Sequence, residues 1–106
     1  MDENRLRHSL AVARKMIELN NIVSRREDID TTDLNGDIVM MDLEKGKYFS
    51  LNSVGSRIWE LMDKPVEIKE IIDSLLEEYD ISRNECEENV LEFLGKLDEA
   101  NIISVN

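Results

Sequence analysis

Apolar residues along this 106-residue chain change their spacing twice, and the changes divide it into three stretches. In the first, Leu6, Leu10, Ala13 and Ile17 recur at i, i+4, i+7 and i+11, the spacing that lines one face of a helix. A helix is therefore predicted over residues 2–19, with Asp2 as its N-cap and Asn20-Asn21 at its end. Residues 22–28 read as a connector that has room for a short extended piece. The middle stretch carries strand signals. Ile29–Leu34 and Asp37–Asp42 flank Asn35-Gly36, a pair that tolerates the positive φ of a two-residue hairpin. Glu44-Lys45-Gly46 supplies the next turn, and Lys47–Leu51 the third strand.

The last stretch returns to a helical period. A helix is predicted from Asn52 or Ser53 to about Asp63, stopped by Lys64-Pro65, with Val54, Ile58, Leu61 and Met62 inward and Trp59 beside them. A second covers about Glu67–Tyr79. Ser82 and Glu85 form a capping box that opens a third, about Arg83–Ala100. Ile102 and Ile103 close the chain as an extended tail. The expected class is α+β: a three-stranded antiparallel sheet followed by three helices, with an extra helix in front. Residues 1–21 form that N-terminal amphipathic unit, and 22–106 one domain.

The third helix has more apolar residues than one stripe needs. Cys86, Val90, Phe93 and Leu97 form one row, and Leu91 and Leu94 a second turned to one side. Either both rows are core, or the helix touches two things.

Charge narrows the function classes. The net charge is −11, unevenly spread. Residues 1–27 hold six basic and four acidic side chains, and residues 28–106 seven and twenty. So acidic a body repels phosphate backbones and favours basic partners. The alternative is a winged-helix nucleic-acid-binding or regulatory module, and the absence of a basic stripe counts against it. No apolar run reaches membrane-spanning length, and the charged N-terminus does not look like a signal peptide, so the cytoplasm is the expected location. A single cysteine, Cys86, allows no intramolecular disulfide.

Catalytic parts are missing. Arg5–Ala13 looks like the opening helix of an HD-type phosphohydrolase, but His8 is the only histidine and the His-Asp doublet is absent. Cys86 has no base except His8. The many carboxylates sit at solvent positions of helices, and there is no EF-hand loop, Walker motif or GxGxxG. No enzyme activity, metal or cofactor is expected.

From Asp33 to Asn52 the chain reads Asp-Leu-Asn-Gly-Asp-Ile-Val-Met-Met-Asp-Leu-Glu-Lys-Gly-Lys-Tyr-Phe-Ser-Leu-Asn, and Val54–Leu61 follows with Ile58-Trp59. This order of hairpin, glycine turn, aromatic pair, Leu-Asn and Ile-Trp resembles the PqqD-like family, as do Ile71–Tyr79 and Val90–Leu97. The wording is closest to the discrete PqqD-like proteins of lasso-peptide clusters. The resemblance implies a winged-helix-like fold that binds the leader segment of a ribosomally made precursor peptide. The leader would add as a strand beside Lys47, Tyr48, Phe49, Ser50 and Leu51, its apolar side chains entering a groove walled by Leu91, Leu94 and Leu97. Glu87, Glu88, Glu92 and Asp98 would flank that groove and attract a basic peptide. A leader peptidase or other modifying enzyme is the implied second partner, and the N-terminal helix offers a contact for a homodimer.

Overall fold

The computed structural model describes residues 17–27, 29–35, 37–42 and 46–106. The predicted N-terminal helix falls mostly outside them. Its last residues are not helical: Ile17 and Glu18 are irregular, and Leu19-Asn20 form a turn.

The elements run β1 (Ile22–Arg25), β2 (Ile29–Leu34), β3 (Asp37–Asp42), β4 (Lys47–Leu51), α1 (Ser53–Leu61), β5 (Val66–Glu67), α2 (Ile68–Glu78), α3 (Arg83–Glu99) and β6 (Ile103–Val105). The meander β2–β3–β4 is antiparallel throughout, as predicted. A second sheet was not predicted. The supposed connector is β1, which pairs with β5 on one side and β6 on the other. These three strands have two to four residues each, too short to show a period of two. Their signal is only a β-branched doublet or triplet: Ile22-Val23 and Ile102-Ile103 with Val105.

Local chemistry fixes the ends of each element. Asn35 takes φ 57° in the β2–β3 turn, and Gly46 takes φ 66° before β4. Asn52 caps α1, its side chain accepting the Gly55 N–H at 2.8 Å, and Ser82 caps α3 through the Glu85 N–H at 3.2 Å. α2 has no side-chain cap. Its first N–H groups donate instead to main-chain carbonyls ahead of β1: Ile68 to Asn21 at 3.0 Å and Lys69 to Leu19 at 2.9 Å. α3 ends at Asn101, with φ 59°, while Ile102 N–H reaches back to Leu97 and Asn101 N–H to Asp98. That pair of bonds is a Schellman closure, and the buried Leu97 and Ile102 side chains belong to it.

The core joins both sheets to the helices. Val23, Met40, Ile58, Trp59, Ile68, Ile71, Ile72, Val90, Leu94 and Ile102 are all buried. Trp59 is also held from outside. The Arg25 guanidinium lies 4.7 Å from its ring centre, and Arg25 donates to its carbonyl. This ties β1 to the last turn of α1.

Candidate functional site

β4 forms one edge of the meander and, among the described residues, pairs with β3 alone. Which main-chain groups it leaves open follows from register. β2 and β3 are linked by two residues, and Leu34 faces Asp37. In such a hairpin the closing pair bonds to each other, so the next residue, Ile38, turns its N–H and C=O toward β4. Ile38 faces Leu51, Met40 faces Phe49 and Asp42 faces Lys47. Lys47, Phe49 and Leu51 therefore bond inward. Tyr48 and Ser50 present their N–H and C=O groups outward.

Ser56 confirms the alternation. Its hydroxyl accepts the Ile38 N–H at 3.0 Å and donates to the Leu51 carbonyl at 3.2 Å, standing between the two strands at the end of the ladder. α1 is thereby fastened to the C-terminal end of β4.

Side chains of β4 alternate in the perpendicular sense. Leu51 is buried and Phe49 half-buried on the core face, while Tyr48 is 68% exposed on the other. α3 lies beside the core face and runs opposite to β4. Near the start of β4, Lys47 and Phe49 share a cleft of about 280 Å³ with Lys96, Glu99 and Ala100. Beyond its end a larger cavity, about 490 Å³, opens between α1, α2 and α3. Val54, Ile58, Leu75, Ile81, Val90 and Phe93 give it apolar walls, and Asn52, Asp80 and Asn89 polar ones. Gly55 keeps it open on one side: a Cβ there would meet the Phe93 ring at 3.3 Å.

The helix wall differs from the expected one. Leu94 and Leu97 were expected to face the groove, but both are buried in the core, at 0% and 3% exposure. Leu91 is half-buried and packs against that core without lining either cavity. The row that meets the cavities is Asn89, Phe93, Lys96 and Ala100. Phe93 and Leu94 have thus exchanged roles. Both i+7 and i+8 lie close to two full turns from Cys86, so spacing alone does not separate them.

The acidic residues also fall elsewhere. Glu87 pairs with Arg83 at 3.6 Å and Glu92 with Lys96 at 3.5 Å, Glu88 is exposed, and Asp98 is half-buried. None of the four lines either of these two cavities; Asp80 and Glu99 do. Sequence reasoning missed Asp80, which sits in the link between α2 and α3 where no periodicity marks it.

The rest of the titratable chemistry is structural. Burial pushes the Cys86 thiol up from its usual range. Hydrogen bonding to Arg57 holds the Glu78 carboxyl below the usual carboxylate range. His8 lies outside the described residues, and among those described no cluster of three potential metal ligands occurs.

Residues 37–103 match the family model described as coenzyme PQQ synthesis protein D (PqqD). The chain belongs to the PqqD family. The matched span opens at β3 and takes in β4, all three helices and the groove between them. Among solved structures, this PqqD-family chain is similar to TbiB1 in complex with the TbiA(beta) leader peptide. The two are 28% identical, with 76% of this chain and 94% of that one covered and a TM-score of 0.72. It is also similar in fold to a lasso peptide synthetase B1 complexed with the leader peptide: 18% identity, 77% and 96% coverage, TM-score 0.65. No curated protein matches the chain in sequence.

Proposed function

We propose that this protein is a non-catalytic binding module that captures the leader segment of a ribosomally synthesised precursor peptide by strand addition at β4. The carrying observation is the edge itself. Tyr48 and Ser50 offer two N–H and two C=O groups, and β4 lies along a helix with a largely apolar cavity beyond its C-terminal end and a smaller, charged cleft at its start. Main-chain pairing supplies affinity and the cavities supply selectivity. The meander has a second edge, β2, but Asp30 and Asp33 both stand on that strand. Charged edge residues oppose pairing with other chains. β4 carries only Lys47, at its very end. The leader peptides bound by the two similar proteins support the same reading.

In this reading the chain presents the held leader to a modifying enzyme, with lasso-peptide maturation the favoured setting and a leader peptidase the favoured recipient. The winged-helix description, a cytoplasmic location and a dimer contact through residues 1–21 belong to the same proposal. Among the described residues no helix is long and apolar enough to cross a membrane. Hydrogen exchange read residue by residue, on titration with leader peptides beginning with TbiA(beta), tests the docking site. The Tyr48 and Ser50 amides are expected to gain protection, while Lys47, Phe49 and Leu51, already bonded to β3, change less. A peptide that binds without protecting Tyr48 and Ser50 sinks the proposal.

A further inference from the structure

The two ends of the β4–α3 groove differ in charge. At the wide end, beyond Leu51, the only charged lining residue among the described residues is Asp80. It is exposed and has no ion-pair partner among the described residues. Glu85 adds a second carboxylate one helical turn before Asn89 on the same side of α3. At the narrow end Lys47 and Lys96 stand with Glu99. Lys47 likewise has no ion-pair partner among the described residues. Glu85 and Lys96 also offset the α3 macrodipole, which explains them without a ligand. Asp80 and Lys47 lie off the helix and have no such explanation.

Direction follows from pairing. The meander is antiparallel throughout, and antiparallel pairing is slightly more stable per residue than parallel. A strand added antiparallel to β4 runs with α3, so its N-terminal end passes Asp80 and its C-terminal end passes Lys47 and Lys96. Resting on the reading of β4 as the peptide edge, the geometry points to a peptide with a set order of charge: a lysine or arginine on the N-terminal side of the paired stretch and an aspartate or glutamate on its C-terminal side. The two charges stand at least about five residues apart, the length of β4.

Exposed ion pairs are individually weak, and exchanging both peptide charges turns two weak attractions into two weak repulsions. The expected difference in affinity is about tenfold. The probe is a peptide selected from a random library displayed on phage, made synthetically in two forms: basic-first, and acidic-first with the Lys and Glu exchanged and the middle unchanged. Fluorescence anisotropy gives both affinities, and amide exchange at Tyr48 and Ser50 reports where each peptide sits. Basic-first is expected to bind about tenfold tighter. Asp80→Lys, at an exposed site, is expected to shrink that preference to threefold or less while leaving the melting temperature unchanged. Equal affinity of the two orders, with Tyr48 and Ser50 still protected, overturns the charge order and leaves strand addition standing. An acidic-first preference with the same protection overturns the direction. Selected peptides that never protect those amides overturn the docking edge and this inference with it.

Discussion

Replacing Ser56 with alanine removes one oxygen that serves both ends of a broken rung. Ser56 is 4% exposed, and its hydroxyl accepts the Ile38 N–H at 3.0 Å and donates to the Leu51 carbonyl at 3.2 Å. Without it, a main-chain donor and a main-chain acceptor lose their partner together. A buried polar group left without a partner costs about 1–3 kcal/mol. The two groups face each other across the ladder, so a small inward shift of β4 would pair them directly and recover part of that loss. The expected net cost of Ser56→Ala is about 1.5–3 kcal/mol. Urea unfolding measures it. With a slope of about 1–3 kcal/mol per molar, the midpoint falls by roughly 1 M at unchanged slope. Amide exchange supplies the local readout, because the Ile38 N–H is the group directly uncovered and its exchange is expected to quicken well beyond that of Met40. A midpoint shift below about 0.3 M, with Ile38 exchange unaltered, would refute the reasoning. It would mean that the strands close the rung without the hydroxyl.

Leu94→Asp places a carboxylate at a fully buried position and is expected to cost more than about 4 kcal/mol. Leu91→Asp, at a half-buried one, is expected to cost about 1–2 kcal/mol; circular dichroism melts of both variants check the difference. Glu78 is bonded to Arg57 by two contacts of 2.8 Å and held below the usual carboxylate range, so the stability it adds is present above that range and is lost as pH falls through the lowered value. Denaturation curves of wild type and Glu78→Gln are therefore expected to converge as pH drops below about 4.5, and a gap that persists in strong acid would contradict the pairing. Burial raises the Cys86 thiol, so its alkylation by iodoacetamide at neutral pH is expected to be slower than that of a free cysteine. Because Cys86 lines the large cavity, a bound peptide should slow it further, measured by mass spectrometry.

The meander was legible because its strands have five or six residues, a positive-φ turn residue at Asn35 and a glycine turn at Gly46. Two of the helices, α1 and α3, were legible from caps: Asn52 and Ser82 both accept the bonds their identities foretell, while α2 showed itself by its apolar spacing. The second sheet was not legible. β1 has two β-branched residues in four, β5 has two residues in all, and their pairing joins positions about 40 apart in sequence. No local pattern reports a partner that distant. What holds β5 in place is the chain on either side of it, stopped by Pro65 and restarted by α2, whose first amides depend on Leu19 and Asn21.

The edge strand was legible and the way α3 is turned was not, for a physical reason. A strand fixes side-chain direction with a period of two, so a single reference residue orients the whole of β4. A helix turns about 100° per residue, and α3 runs 17 residues with apolar side chains at 86, 90, 91, 93, 94 and 97. Those positions span an arc of about 160°, wider than one stripe needs, so several choices of core row fit equally well. Packing decides among them. Gly55 lets the Phe93 ring lie against the start of α1, which draws Phe93 to the cavity side and sends Leu94 into the core. The glycine that settles the wall of the groove is on a different helix, 38 residues earlier in the chain than the phenylalanine it admits.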